Sequence, residues 1–556
     1  MTFQPTQPVE PVENMAVVPG EFAPGAPDTR PQLWGHPRGL FLLFAVEMWE
    51  RFSFYGMRAI LGLYLKCKLT GMDPLPPGES PGFNPGRGWS HADANNLQGW
   101  YGGMAYLLPI LGGLIADKII GTHRSMLVGG VLIALGHVVL GISGISTLAQ
   151  SDTGMSLFVT GLALIVIGTG HFKPSVSVMV NQLYPRGDPR QEGAFGIFYM
   201  GINLGALLGT FFVGWLGERV GWHYGFGLAA IGMVAGLLIY LWLRSKYLLG
   251  IGDGPVDRVK FAPIFLLTGV VLAAAVGYAF HTGFLGDVDA FFSSSWVFYT
   301  MLFGGIFAAV AFALSQRPGD RGPVATIFIY MLFNFIFWLA FEQAATSINF
   351  FTDELVDRRI GSGPDPTLVP TTWFQNINSF TIILLSPLFG ILWTYIARKR
   401  IPFPQPIKIG LGLLWLAGGF VFMVIAGHQV AAGSGALASM WLLAATYFLH
   451  TVGELFLSPT GLAYVSKAAP KRHASLLMGV WFISSFLAYT VGGKLAGEAD
   501  PKTIGSKHFF FQDWGIDMGG GYANFFFLFV FMAGVAGVLI ILLTPLLRKL
   551  QRNPND

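Results

Sequence analysis

Four ionisable residues lie within a short apolar stretch near the start of the chain, AVEMWERFSFYGMRAIL. They are Glu47, Glu50, Arg51 and Arg58. At about 100° per residue of an α-helix they project at about 0°, 300°, 40° and 20°, so they share one face. Each ion costs about 2.5 to 3.5 kcal/mol at the centre of a membrane helix, whereas a large apolar residue contributes only about 0.5 kcal/mol. This face is therefore expected to meet water or partner groups rather than lipid.

Two interpretations of these charges remain open. Glu47 and Arg51 are four residues apart, so they can form a purely structural ion pair along one helix. Arg58 lies too far along the helix for Glu47 to reach, and Glu50 and Arg51 can pair in more than one way. The second interpretation therefore requires partners from other helices, because an uncompensated buried charge is strongly unfavourable.

Other apolar segments supply such partners. Lys173 lies in IGTGHFKPSVSVMVNQ, Glu342 in FIFWLAFEQAAT and Glu454 in FLHTVGELFLSPTGLAY. Each lies at least two helical turns from the expected ends of its segment. Cations and anions on separate helices can neutralise one another across a cavity, and they can also bind a charged solute or a proton.

Histidine offers a further candidate chemistry. His450 and Glu454 are four residues apart, but a metal would need a third or fourth ligand and no cluster supplies one. We therefore expect no metal, no cofactor, and interior packing roles for His137, His171 and His450. An enzyme is also disfavoured, because the chain shows no nucleophile with a base at motif spacing, no phosphate-binding loop and no ATP-binding sequence.

The elements that must position these residues are membrane helices. Of 556 residues 12% are charged and 53% hydrophobic, and the mean hydropathy is +0.56, whereas about a quarter of a soluble chain is charged. Fourteen apolar segments are long enough to cross a hydrocarbon layer of about 30 Å, and the alternating pattern of barrel strands is absent. They lie approximately at residues 38–66, 92–116, 124–147, 156–181, 192–216, 223–247, 262–281, 295–315, 323–351, 371–397, 406–428, 437–465, 475–498 and 522–547. The sequence predicts an all-α membrane protein.

The basic residues predict the orientation of these spans. An even number of spans puts both chain ends on one side of the membrane. About 22 of the Lys and Arg residues lie on that side. Because basic residues are more frequent in cytoplasmic loops, we expect both chain ends to be cytoplasmic. The net charge of +4 reflects this bias and gives no reason to expect nucleic acid as a partner. Residues 1–30 have no basic start followed by an apolar core, so no cleavable signal is expected. The single cysteine, Cys67, excludes a disulfide within the chain.

Span counting also predicts the domain organisation. The polar stretch SKYLLGIGDGPVDRVKFAP from Ser245 divides the chain after six spans, and two additional spans precede the last six. Longer Pro/Gly-rich connections begin at Thr70 and Ala499 on the outer side. We expect a disordered cytoplasmic tail at 1–30, an N-terminal six-helix bundle at 31–250, a two-helix insertion at 251–320, a C-terminal six-helix bundle at 321–549 and a cytoplasmic tail at 550–556. This arrangement is compatible with a transporter built of two bundles around a central cavity.

The stretch EMWERFSFYGMR, from Glu47 to Arg58, resembles the ExxERFxYYG signature of the proton-dependent oligopeptide transporters, a branch of the major facilitator superfamily. FYMGINLGA from Phe198 resembles the second signature of that family, and GGLIADKIIGTHR from Gly112 is similar to the superfamily loop between spans two and three. With GTGHFKP and GELFLSPTGLAY, the resemblance covers nearly the whole chain apart from the tails and the two middle spans. It implies the major facilitator fold, with two additional helices between the bundles.

The resemblance also implies residue roles. Glu47, Glu50 and Arg51 would couple transport to protons. Arg58 would pair with Glu342 and Lys173 with Glu454, and both pairs would make and break as the bundles rock. Asn203 and Asn378 would hydrogen-bond the peptide, and the pocket would be lined by Tyr55, Tyr106, Trp338, Trp481 and Ser485.

Two departures from the family pattern affect these expectations. Phe54 precedes Tyr55 where the signature has two tyrosines, so one hydroxyl is missing and side-chain preference can differ. Gly99 lies near the place where animal members carry a histidine, so proton coupling would depend on carboxylates.

The resulting expectation is a symporter of the bacterial inner membrane that imports di- and tripeptides with protons and works as a monomer. A short peptide is a zwitterion with constant amides and variable side chains, and the cations, carboxylates, amides and aromatic residues named above match it. The alternative is a related symporter of another small solute, such as nitrate or a drug-like molecule. Glu47 and Glu50 disfavour nitrate, because relatives that carry it tend to lose the acidic part of the signature.

Overall fold

The structure is a computed structural model that describes residues 30–71, 83–185, 188–254, 258–361, 363, 366–431 and 435–551. Three predicted features lie wholly or largely outside these residues. They are the tail at 1–30, the Pro/Gly-rich connection that begins at Thr70, and the tail at 550–556.

Fourteen α-helices of 20 to 31 residues make up most of the described chain. They are α1 (Arg38–Lys66), α2 (His91–Ile115), α3 (Gly121–Ile142), α4 (Asp152–Gln182), α5 (Arg190–Arg219), α6 (Trp222–Tyr247), α7 (Ala262–His281), α9 (Ser295–Leu314), α10 (Pro318–Phe341), α12 (Asn376–Arg398), α13 (Gln405–Ala431), α14 (Met440–Ala468), α15 (Ala474–Gly497) and α16 (Gly521–Leu542). Three helices of eight to ten residues accompany them, namely α8 (Phe284–Ser293), α11 (Ser347–Leu355) and α17 (Thr544–Gln551).

Short elements connect the helices. A π-helical turn, Ala116–Ile120, joins α2 directly to α3. The 3₁₀ turns are Ser146–Leu148, Val259–Phe261, Glu342–Ala345, Thr371–Gln375, Lys471–His473, Ile504–Ser506 and Phe510–Trp514. The strands form three two-residue pairs, β1 (Gln32–Leu33) with β2 (His36–Pro37), β3 (Val356–Asp357) with β6 (Ala438–Ser439), and β4 (Arg359–Ile360) with β5 (Thr367–Leu368).

The long helices have the length and composition of membrane spans. Twelve stretches of the described residues qualify, and one of them, His91–Ile142, contains both α2 and α3. The charged helix α1 is not among the twelve, although its 29 residues are long enough to cross a bilayer. The prediction of an all-α membrane protein with fourteen helices is confirmed.

The ninth predicted span, 323–351, differs from the structure. Helix α10 ends at Phe341, a 3₁₀ turn follows from Glu342 to Ala345, and α11 begins at Ser347. The Gln343 side chain replaces part of the helical ladder, since its Nε2 donates to the carbonyl oxygens of Leu339 and Gly492 at 3.1 Å each. Glu342 therefore lies at a break between helices rather than within a continuous span.

Buried apolar residues form two large clusters. The first, which we call the N cluster, runs from Leu40 to Ile251 and includes Phe350. The second, the C cluster, runs from Ala313 to Leu547. The domain boundaries at residues 30, 250, 320 and 549 stay predictions, because these clusters describe packing and not independent folding units.

The helices alternate in direction, which defines two faces. We call the side on which α1 begins, at Arg38, the terminal face, and the side on which α1 ends, at Lys66, the opposite face. Close contact between the clusters is concentrated toward the opposite face. There α2 meets α15 at glycines, where a Cβ on Gly99 would lie 2.8 Å from the Tyr489 carbonyl oxygen and one on Gly102 would lie 2.2 Å from the Tyr489 ring.

Candidate functional site

A large cavity lies between the two clusters. Its volume is about 1240 Å³, and residues of both clusters line it. Thirteen of the fourteen predicted site residues line this cavity, namely Glu47, Arg51, Tyr55, Arg58, Tyr106, Lys173, Asn203, Trp338, Glu342, Asn378, Glu454, Trp481 and Ser485. Glu50 does not line it and is fully buried.

The cavity extends to the terminal face. Its walls include Leu114, Val178, Ser466 and Leu476, which lie near the terminal-face ends of α2, α4, α14 and α15. Leu114 and Leu476 are about half exposed, at 47% and 52%. The molecule is therefore open toward the terminal face, on which α1 begins.

Ion pairs close the opposite face. Lys66 Nζ, at the end of α1, lies 2.6 Å from Asp353 Oδ2 and 2.8 Å from Glu354 Oε1, both on α11. His91 Nε2, at the start of α2, lies 2.9 Å from the same Glu354 oxygen. Since Lys66 and His91 belong to the first helices and the two carboxylates follow α10, these contacts join the two halves of the molecule.

A buried carboxylate adds a second connection at this face. Glu218, near the end of α5, is 2% exposed. Its oxygens accept the backbone N–H groups of Thr371 and Thr372 at 2.8 and 2.9 Å and the Thr372 hydroxyl at 2.7 Å. Next to it, the rings of Phe211 and Trp373 stack with centroids 4.4 Å apart. Opening this face would break all of these contacts at once.

The charges of α1 form a compact buried group. Arg51 Nε lies 2.8 Å from Glu47 Oε1 and 2.6 Å from Glu50 Oε2. The three residues are 3%, 0% and 4% exposed, in the order Glu47, Glu50, Arg51. One guanidinium thus contacts two carboxylates. The ion pair between Glu47 and Arg51 that the sequence left open is formed, but one cation does not balance the charge of two carboxylates.

Arg58 pairs with a residue outside α1, the Glu342 that the resemblance implied. Its guanidinium forms an ion pair with Glu342, in the turn that follows α10. The guanidinium carbon also lies 5.1 Å from the centre of the Tyr489 ring on α15, a distance at which a cation is attracted to an aromatic face. Both charged side chains are nearly buried, at 12% and 9% exposure.

The second implied pair is not formed in this conformation. Lys173 Nζ lies 3.9 Å from the centre of the Tyr106 ring. Glu454 Oε2 instead accepts a hydrogen bond from Asn378 Nδ2 at 2.8 Å, and Asn378 Nδ2 also lies 3.1 Å from the Thr451 hydroxyl. Lys173 and Glu454 both line the cavity, so a cation on one wall and an anion on the other face the same space.

Three cavity tyrosines were missed by sequence reasoning, namely Tyr199, Tyr447 and Tyr489. Tyr489 has the most contacts with predicted residues, since its ring centroid lies 5.0 Å from that of Tyr106 and its ring faces Arg58. Helical spacing could have identified two of them. Tyr489 is four residues after Ser485 and Tyr447 is seven residues before Glu454, so each tyrosine lies on the same helix face as a predicted site residue.

The residues that could hold a metal are not brought together. Within the described residues, no group of three or more His, Cys, Asp or Glu side chains is placed to bind an ion. His450 packs against Phe420, with ring centroids 4.6 Å apart. The residues that line the cavity include cations, carboxylates, amides and aromatic rings.

Comparisons with known proteins identify the family of the chain. The family model described as POT family matches residues 123–507. The chain is 35% identical over 480 residues to the peptide transporter YePEPT of Yersinia enterocolitica, and the aligned residues cover 84% of this chain and 88% of that protein. It is 32% identical over 484 residues to a di-/tripeptide transporter of Lactococcus lactis subsp. cremoris, covering 84% and 90%.

Solved structures show the same fold. A crystal structure of the peptide transporter POT in complex with sulfate is similar at a TM-score of 0.74 and 30% identity, covering 94% of this chain and 97% of that one. A POT family transporter in complex with 5-aminolevulinic acid is similar at a TM-score of 0.71 and 28% identity, covering 93% and 98%. This chain therefore belongs to the POT family of transporters, and its fold is that of the major facilitator superfamily.

Proposed function

We propose that this protein is a proton-coupled symporter that imports di- and tripeptides by alternating access. The observation that carries the proposal is that Lys173 and Glu454, which carry opposite charges, line one cavity and do not pair with each other. Relatives that share about a third of its sequence are named as peptide and di-/tripeptide transporters. The proposed location is the bacterial inner membrane, and the proposed working unit is a monomer.

The cavity matches the constant parts of a short peptide. Lys173 would bind the carboxylate of the peptide, and Glu454 would bind its ammonium group, since each then gains a charge-assisted hydrogen bond. Asn203 and Asn378 would satisfy the peptide amide. A volume of about 1240 Å³ exceeds what a dipeptide fills, so side chains of different size can be accommodated.

Aromatic residues account for tolerance of side-chain identity. The walls include Tyr55, Tyr106, Trp338, Trp481 and the newly identified Tyr489. Aromatic rings offer large apolar contact area and few hydrogen-bonding demands, so they accept apolar and aromatic peptide side chains alike. The site would thus be selective for the peptide backbone and permissive for the rest.

The buried group on α1 would carry the proton. Glu47 and Glu50 share the single cation Arg51, so the group has an excess negative charge when both carboxylates are ionised. One proton removes that excess, and burial makes neutrality favourable. Because Glu47 lines the cavity and Glu50 lies behind it, a proton that enters by the cavity reaches Glu47 first.

The conformation corresponds to one stage of the proposed cycle. The closed opposite face and the open terminal face describe an inward-open transporter if the terminal face is cytoplasmic, as the distribution of basic residues predicts. In this stage the Arg58–Glu342 pair is formed and the Lys173–Glu454 pair is open. Outward opening would reverse these states, with proton and peptide binding changing which partner each charge takes.

Uptake into liposomes tests the proposal. Purified protein would be reconstituted, an inside-alkaline pH gradient imposed, and accumulation of a radiolabelled dipeptide measured without ATP. We expect accumulation that a protonophore abolishes and that unlabelled di- and tripeptides inhibit. Inhibition by nitrate or by 5-aminolevulinic acid, but not by peptides, would instead identify a symporter of another small solute. No accumulation under any gradient would contradict symport.

A further inference from the structure

The two-helix insertion straddles the two clusters. Helix α7 packs on the N cluster, where a Cβ on Gly277 would lie 1.9 Å from the Thr160 hydroxyl oxygen and His281 Nδ1 lies 3.1 Å from the Ser156 hydroxyl. Helix α9 reaches the C cluster through Ala313, near its end. The short helix α8, which joins α7 to α9, lies at the opposite face and buries none of its residues.

One side chain of α8 contacts both halves of the transporter. The Oδ1 atom of Asp289 accepts a hydrogen bond from Trp100 Nε1 at 2.8 Å, and its Oδ2 atom accepts one from Asn96 Nδ2 at 3.1 Å, both from α2. Asp289 Oδ1 also lies 2.8 Å from Lys494 Nζ on α15. Lys494 further donates to the Ser293 hydroxyl, at the end of α8. We call these residues the Asp289 junction.

The Asp289 junction lies beside the contact between the two halves of the molecule. Helices α2 and α15 form the close contact between the two halves, through Gly99 and Gly102 against Tyr489. Asn96 and Trp100 are on the same helix as those glycines, and Lys494 is five residues after Tyr489. When the opposite face opens, α2 and α15 must separate there, and a single carboxylate cannot then hold donors from both.

We propose that the two-helix insertion acts as a clamp that stabilises the closed state of the opposite face, and that Asp289 is its contact residue. The inference rests on the alternating access that we propose for the protein. Leu285 of α8 packs against the N cluster, and the polar contacts of α8 with α2 and α15 come from Asp289 and from Ser293, which accepts a hydrogen bond from Lys494. The clamp would therefore bias the resting transporter toward the inward-open conformation without contacting the peptide.

The size of the effect follows from the exposure of the pair. Asp289 and Lys494 are 27% and 35% exposed, so the ion pair is partly screened. Removing such a contact from one of two conformations should change the ratio of closed to open molecules about fivefold. Each conformation keeps its structure, and only the populations differ.

Pulsed electron paramagnetic resonance would measure the populations directly. Spin labels would be placed at Ile145 and Gly505, two positions at the opposite face, in a Cys67→Ala background. Ile145 is 59% exposed, and a Cβ added to Gly505 would meet no atom within 4 Å beyond its chain neighbours. We expect Asp289→Asn and Lys494→Gln each to increase the long-distance fraction, and the double variant to add little to either. The matched control is Asp287→Asn, on the exposed side of the same helix, which should match the parent.

The outcomes separate this inference from the proposed function. Unchanged distances in both Asp289→Asn and Lys494→Gln would overturn the clamp, and so would an equal change in Asp287→Asn. If Asp289→Asn does not fold, Lys494→Gln decides alone, because it leaves α8 and its carboxylate intact. The distances require no peptide transport, so loss of uptake in the liposome assay would not produce or hide the population change.

Discussion

Lys173 and Glu454 line the same central cavity without forming an ion pair with each other. Lys173 lies over the Tyr106 ring, and Glu454 accepts a hydrogen bond from Asn378. Each charge is therefore in direct contact with a neutral partner, and a charged group of a solute could take the place of that partner. An open pair of this kind is what a site for a zwitterion requires, because a closed ion pair would have to be broken before binding.

Replacing Lys173 by alanine should remove the contact to the peptide carboxylate. A charge-assisted hydrogen bond is worth about 1.5 to 3 kcal/mol, so dipeptide affinity should fall about 10- to 100-fold. The measurement is competition of labelled dipeptide uptake by a free dipeptide and by its C-terminal amide. The parent should discriminate between the two, whereas Lys173→Ala should not. Lys471→Ala, which removes an exposed lysine that does not line the cavity, is the control.

Breaking the Arg58–Glu342 pair should destabilise the protein more than removing both partners. Arg58→Leu leaves Glu342 nearly buried without its cation, and such a loss costs about 3 to 5 kcal/mol. Arg58→Leu/Glu342→Leu replaces both charges and should recover much of that stability while transport stays lost. Thermal unfolding in detergent measures the first effect and liposome uptake the second. Equal unfolding temperatures for the single and double variants would show that the pair is not an energetic unit.

Glu218 should hold the opposite face closed. Glu218→Ala leaves the backbone N–H groups of Thr371 and Thr372 without their acceptor, at a cost of about 1 to 3 kcal/mol to the closed state. The change should expose the cavity to the outside more often. The measurement is labelling of a cysteine introduced at Ser379, a cavity residue, by an impermeant thiol reagent in a Cys67→Ala background. Glu192→Ala, on the exposed start of the same helix, should label at the parental rate.

Glu47 and Glu50 should be needed for coupling but not for peptide exchange. Glu47→Gln and Glu50→Gln each remove the excess negative charge beside Arg51, so neither variant has a reason to take up a proton there. We expect each to lose accumulation driven by a pH gradient and to retain exchange of labelled for unlabelled peptide. Glu192→Gln is the control. Retained gradient-driven accumulation in both variants would show that another group carries the proton.

The arrangement of the helices was largely readable from the sequence, because apolar length is a strong constraint in a bilayer. The break at Glu342 could not be predicted from the sequence, since it depends on a hydrogen bond from Gln343 to the Gly492 carbonyl oxygen on a distant helix. Helix α8 was also missed, because ten residues with no buried side chain leave no span-length apolar signal.

The site residues could be proposed from charge in apolar segments and from the family signatures. The sequence could not predict which of the two implied ion pairs is formed, because that depends on the conformation rather than on the residue types. Arg58 pairs with Glu342 in a conformation whose opposite face is closed, and Lys173 is apart from Glu454 in a cavity that is open to the terminal face. The contact of Asp289 with Lys494 likewise occurs where α2 and α15 pack together, so residue types alone do not predict it.

The central claim is that peptide and proton move together through one cavity whose buried charges exchange partners. Linkage is reciprocal, so a peptide gradient must drive protons as surely as a proton gradient drives peptide. The most direct test is therefore the pH inside liposomes that contain the protein and a trapped pH-sensitive dye, after addition of dipeptide outside without any starting pH gradient. We predict that the interior becomes acidic with the parent protein and does not with Glu47→Gln or Glu50→Gln. Uptake of labelled dipeptide by the parent with no change in internal pH would contradict the account.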